Sequence, residues 1–152
     1  MTIQQTANRA LALLIISIRA TVLAVLVITA AGCASPPPQI TIEGQYAELS
    51  QMFIGSGSFY MTIRNAGGRD TLIGVSAALP RTVIELHDVK DHRMVRIEKI
   101  PVPARNTVEL KPGGPHIMIF NMPRTVQKGS DLVLTLRFER SGEQKVPVRF
   151  EK

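Results

Sequence analysis

Short β-forming runs recur through the chain at close spacing, with turn residues between them and no helical repeat, and this limits what it can fold into. Nine such runs are QITIEGQYAEL, SFYMTIRN, TLIGVSA, RTVIELHDV, RMVRIEKI, TVELK, HIMIFNM, DLVLTLRFE and QKVPVRFE. Between them stand NAGGRD, ALPR, VKDH, PVPARN, PGGP, PRTVQKGS and RSGE, rich in glycine, proline and polar residues. Several runs alternate: Leu132, Leu134 and Leu136 oppose Val133, Thr135 and Arg137. Eight or nine short strands at this spacing predict an all-β, two-sheet sandwich with Greek-key connections. Residues 43–57 are less regular, and no single strand is expected through all of them.

The N-terminus bears on compartment. Residues 1–32 hold no acidic residue, carry Arg9 and Arg19, and end in the apolar run ATVLAVLVITAAG. A basic start, an apolar stretch and small residues before a cut make an export signal. The run is too short for a comfortable span of roughly 20 residues. The only cysteine, Cys33, stands where the signal ends, and Ala31-Gly32-Cys33 resembles the bacterial lipobox, whose thiol is acylated. One thiol in an exported chain cannot close an internal disulfide, which agrees with acylation. Residues 1–32 are thus expected to be a lipoprotein signal peptide, 33–39 a lipid-anchored proline-rich spacer, and 40–152 the folded domain.

Setting aside the two signal arginines leaves 16 basic against 12 acidic residues. That balance favours anionic partners only mildly, and without aromatic interleaving it gives no nucleic-acid surface.

The mature chain places its three histidines, His87, His92 and His116, in one window, with Met94, Met118 and Met122 in or just beyond it. A strand methionine is ordinarily core filler, and a histidine near a turn is ordinarily solvated. The stretch HIMIF argues for more, because residues i and i+2 of a strand share a face. His116 and Met118 are neighbours there. Two imidazoles with two thioethers make a neutral, soft donor set suited to copper(I). Zinc prefers thiolate or carboxylate in its set, and calcium needs several oxygens.

With these residues in hand, the sequence resembles the periplasmic copper(I) chaperone family built on the PCuAC domain. That family's pattern is His or Met, ten residues, Met, twenty-one residues, then His-x-Met. Twenty-one residues separate Met94 from His116-Ile117-Met118, and the framing text VIELHD and IPVPARNTVELKPGGPHIMIFNM matches as well. The resemblance spans residues 40–150 and implies a cupredoxin-like sandwich with His87, Met94, His116 and Met118 as copper(I) ligands. It departs at the first pair, since six residues rather than ten lie between His87 and Met94. An even deletion shared by the two arms of a hairpin keeps both residues on one face. It also brings His92 to the tip, as an extra or replacement ligand.

The resemblance implies a carrier, not an enzyme. Copper(I) would pass by ligand exchange to the CuA-bearing subunit of cytochrome c oxidase, or to a thiol-dependent copper chaperone. No nucleophile elbow, phosphate loop or His-Glu-x-x-His motif is present in the sequence. Two other readings stay open: a metal-free lipoprotein sandwich that binds a protein or envelope component, and copper sequestration without delivery.

Overall fold

Alternation of apolar and polar side chains settles into ten strands. They are β1 (Ile40–Leu49), β2 (Gly57–Asn65), β3 (Asp70–Ala77), β4 (Val83–Lys90), β5 (Arg93–Ile97), β6 (Ile100–Val102), β7 (Asn106–Leu110), β8 (His116–Phe120), β9 (Asp131–Phe138) and β10 (Gly142–Arg149). The computed structural model describes residues 35–51 and 53–151, so the signal segment and Cys33 lie outside the described residues. No α-helix occurs among the described residues.

Two antiparallel sheets form. One runs β1-β2-β8-β4-β5, with β7 also on β2; the other runs β10-β9-β3-β6. The chain changes sheet between β2 and β3, β3 and β4, β5 and β6, β6 and β7, and β8 and β9, so the two layers are woven together. Their inner faces meet through Phe59, Ile63, Leu86, Ile117 and Ile119 on one side and Leu72, Val102, Leu134, Leu136 and Val148 on the other, all buried. Phe59 and Phe150 meet edge-on with ring centroids 5.6 Å apart. Each such side chain contributes about 1.5–3 kcal/mol on burial, and together they hold the layers.

Each of the nine expected runs contains a strand, and the tenth, β6, is the difference. In its sequence, Ile100-Pro101-Val102, the last two residues read as punctuation because of the proline. β6 is an edge strand, where a missing N–H is tolerated, and Pro101 is exposed there. The irregular stretch also behaves as expected. β1 is bulged between Glu43 and Tyr46 and stops at Leu49, and no strand occurs among the described residues between it and β2.

Two local structures position the residues of interest. β7 and β8 pair with successive parts of β2, Met61 opposite Leu110 and Phe59 opposite Ile117, so they are one strand with residues 111–115 extruded. The Gly114 N–H donates to the Lys111 carbonyl at 3.1 Å with Gly113 at φ +78°, a type II turn with Pro112 in its usual place. The Lys111 N–H closes the excursion on the Pro115 carbonyl at 2.9 Å. The KPGGP turn is therefore a bulge that delivers His116 back into register.

The second is the β4–β5 hairpin. Lys90 pairs with Arg93, and the tip residues Asp91 and His92 both have positive φ, 50° and 59°. That is a two-residue turn of the I′ kind, which matches strand twist. His92 sits exposed at the tip, as the shortened spacing implies.

At the far end of β2, the proline-rich stretch is tied to the body. The Gly68 N–H donates to the Pro37 carbonyl at 3.0 Å and the Ala66 N–H to the Gln39 carbonyl at 2.9 Å. A guanidinium nitrogen of Arg140 donates to the Pro36 carbonyl at 3.2 Å. Asp70 anchors the Arg140 turn: its carboxylate accepts from the amides of Thr71, Arg140 and Ser141 and from the Ser141 hydroxyl. Burial pushes the Asp70 carboxyl up, but these bonds outweigh it and hold it below the ordinary carboxylate value.

Candidate metal centre

His87 on β4 and His116 on β8 stand directly opposite each other in the ladder, with ring centroids 6.1 Å apart. Pairing puts Glu85 opposite Met118, and Met118 opposite Ser58 on β2. These side chains occupy the outer face of the first sheet, since the alternate residues Leu86, Ile117 and Ile119 fill the core. They are nonetheless shielded: His87 is 8%, His116 3% and Met118 5% exposed. Rings close the surroundings, with Tyr60 6.2 Å from His116 and Phe120 6.0 Å from His87.

The hydrogen bonds assign the free lone pairs. Nδ1 of His116 lies 2.7 Å from the Gly114 carbonyl oxygen, which can only accept. Nδ1 therefore carries the proton, and Nε2 of the neutral ring is a free donor to a metal. On His87 the order is reversed. Its Nε2 lies 3.0 Å from Glu85 Oε2, so it donates there and leaves the lone pair on Nδ1. That Nδ1 is buried and has no hydrogen-bond partner among the described residues. A buried acceptor left unsatisfied costs about 1–3 kcal/mol, which a bound cation would recover.

Sulfur completes the chemistry. Among the described residues no three His, Cys, Asp or Glu side chains gather closely enough to hold a metal by themselves. Thioether sulfur is available as a further donor beside His87 and His116, since Met118 is diagonal to His87 on the same face. The Ser58 hydroxyl donates to Met118 Sδ at 3.0 Å, fixing that sulfur while leaving it a second lone pair.

Met94 shares the face of His87 but lies one row along from it. It pairs with Val89, while the position opposite His87 is taken by Arg96. Met94 is thus a second diagonal neighbour of His87, roughly 7–8 Å away across the ladder and within reach of a long side chain. It lies on the opposite side of the histidine pair from Met118, on the edge strand β5, and is 54% exposed. Cys33 lies outside the described residues.

Four neighbours escaped the sequence reading. Glu85 was findable, because it stands two residues before His87 and shares its face. Ser58, Tyr60 and Arg96 reach the site only through pairing, which no local pattern reveals. Arg96 contacts Glu85 at 3.4 Å, so one carboxylate holds both the histidine and a surface arginine.

Comparison with known proteins bears on the family and the fold. A family model described as LpqE-like matches residues 40–150. A protein of Leifsonia xyli subsp. xyli (strain CTCB07), Lxx21020, which carries a lipoprotein name, is 23% identical over 145 residues, covering 86% of this chain and 87% of its own. Among solved structures, the copper-bound PCuAC domain from PmoF2 matches with a TM-score of 0.63 at 25% identity, over 78% of this chain and 98% of that domain. Copper(I)-bound DR1885 from Deinococcus radiodurans matches in fold with a TM-score of 0.62 at 22% identity, over 80% of this chain and 83% of its own. The cupredoxin-like sandwich expected from the resemblance to PCuAC domains is the fold observed, and the chain belongs to the LpqE-like family.

Proposed function

We propose that this protein is an exported, lipid-anchored copper(I) carrier. It would hold the ion through His87 Nδ1, His116 Nε2 and Met118 Sδ, with Met94 as an outer fourth donor. The observation that carries this reading is the buried, unpartnered Nδ1 of His87 beside a second histidine whose Nε2 is also left free. The donor set selects soft copper(I) over zinc or calcium. The copper-bound PCuAC domain from PmoF2 and copper(I)-bound DR1885 lend support through shared fold. The lipoprotein name of Lxx21020 supports export and an acylated Cys33.

The arrangement suits transfer without catalysis. Three donors are buried and Met94 is exposed on the edge strand, so an incoming thiolate meets the outer thioether first. Ligand exchange then proceeds inward to the histidines. We assign the acceptor as the CuA centre of cytochrome c oxidase or a thiol-dependent chaperone on the way to it. His92, exposed at the hairpin tip, serves the turn rather than the ion in this reading.

An anaerobic copper(I) titration against a competing chromophoric chelator tests binding. Wild type is expected to take one copper(I) per chain, His87→Ala and His116→Ala to weaken binding most, and Met94→Leu least. Equal affinity in wild type and all variants would refute the site. Incubating the loaded protein with an apo CuA domain separates delivery from storage: copper that stays on the carrier contradicts delivery.

A further inference from the structure

The seat of the proline-rich stretch fixes where a membrane must lie. A Cβ on Gly67 would fall 2.2 Å from the Pro37 carbonyl oxygen, and one on Gly68 would fall 1.9 Å from that of Pro36. Only glycine admits the chain this closely, and the hydrogen bonds to Pro36, Pro37 and Gln39 hold it there. From Cys33 to Pro36 is three peptide steps, about 11 Å when fully extended. An acyl chain on Cys33 therefore keeps this end of the body within about 11 Å of a bilayer surface, close to the Debye length of about 8 Å at physiological salt.

The same end is rich in arginine. Arg64, Arg69, Arg105 and Arg140 are all exposed there. Arg64 and Arg105 line a cleft of about 240 Å³ with Asn65, Ala66, Asn106 and Thr107. The opposing charges are few. Glu43 pairs with Arg64 at 3.5 Å, Glu139 is exposed beside Arg140, and Asp70 is buried beneath with its oxygens already bonded.

We infer that this arginine-bearing end is a membrane-facing surface that binds anionic phospholipid headgroups and so holds the body in one orientation. Guanidinium forks match phosphate oxygens. Arg140 has a separate part, because its guanidinium ties Arg69 and Pro36 into the seat. Along β2, Asn65 at this end and Tyr60, whose ring lies 6.2 Å from that of His116, are five residues apart, about 17 Å. The histidine pair is thereby raised off the lipid. The tether rests on the proposed acylation of Cys33; the arginine surface does not.

Amide hydrogen exchange tests the orientation on protein extracted from membranes with its anchor and placed in phosphatidylcholine vesicles with or without phosphatidylglycerol. Phosphatidylglycerol is expected to slow exchange in residues 64–69 and 104–107, and to leave residues 53–57 at the opposite end unchanged. Partitioning of anchor-free Cys33→Ser chain onto phosphatidylglycerol vesicles should fall about fivefold for each of Arg64→Gln, Arg69→Gln and Arg105→Gln, and fall again with added salt. Protection of residues 53–57 instead, or equal partitioning of the parent and the triple variant, overturns the proposal. A chain found wholly in the soluble fraction would refute acylation alone, because the vesicle arm still reads the arginine surface.

Discussion

Replacing Asp70 with asparagine alters one buried carboxylate whose four hydrogen bonds hold the Arg140 turn and, through it, the Pro36 seat. Oδ1 receives the Thr71 amide at 2.8 Å and the Arg140 amide at 2.9 Å, and an asparagine oxygen can keep both. The new NH2 then faces the Ser141 amide, a donor against a donor. The Ser141 hydroxyl can rotate to accept, so one bond is lost outright and the others lose their charge. Bonds to a charged acceptor contribute about 1.5–3 kcal/mol each, which puts the loss at about 2–4 kcal/mol. For a domain of this size that lowers Tm by about 10 °C. The pH dependence follows from the lowered carboxyl of native Asp70. Its stabilisation is complete above the unfolded value of about 3.9 and is lost as pH falls through the lower native value. Thermal melts followed by circular dichroism should show a wild-type advantage that is constant at neutral pH and narrows below about pH 4. A Tm change under about 3 °C, or an advantage that persists undiminished to about pH 3, would refute the reasoning.

Other expectations are smaller. Glu85→Leu removes the acceptor that keeps the proton on His87 Nε2; copper(I) affinity should drop about 10–100-fold with the fold retained, and an unchanged affinity would deny Glu85 its positioning part. His92→Gly relieves a positive φ of 59° at the hairpin tip and should add up to about 1 kcal/mol in denaturant melts without changing copper affinity. A weakened affinity would make His92 a ligand after all. Gly68→Ala drives a methyl group onto the Pro36 carbonyl. Amide exchange at Gln39 and Ala66, whose N–H groups bond across this seat, should speed up, and stability should fall by about 1–3 kcal/mol; wild-type exchange there would show that the stretch was never seated.

What could be read from the sequence depended on whether the signal was local. Alternation in β9 put Leu132, Leu134 and Leu136 on one face; Leu134 and Leu136 are fully buried there, and Leu132 is partly buried. The i, i+2 rule put His116 beside Met118, and the turn residues put His92 at the hairpin tip. Pairing partners were another matter. Pro101 disguised an edge strand, and KPGGP looked like a connection between strands when it is a bulge in one. Sequence parity kept Met94 on the face of His87 but could not set the row. The two-residue turn set it, by pairing Lys90 with Arg93 and hence His87 with Arg96. Ser58 meets Met118 across 60 residues of chain, and only the ladder between β2 and β8 brings them together.

The most direct test of the copper site reads the imidazole nitrogens themselves. Copper(I) is closed-shell, so long-range proton–nitrogen correlation spectra can be compared before and after loading of uniformly 15N-labelled protein. Loading is expected to move the Nδ1 resonance of His87 and the Nε2 resonance of His116, while protons stay on His87 Nε2 and His116 Nδ1. His92 should not respond. If neither buried imidazole shifts on loading, or if both histidines bind through the same nitrogen, the site described here is contradicted.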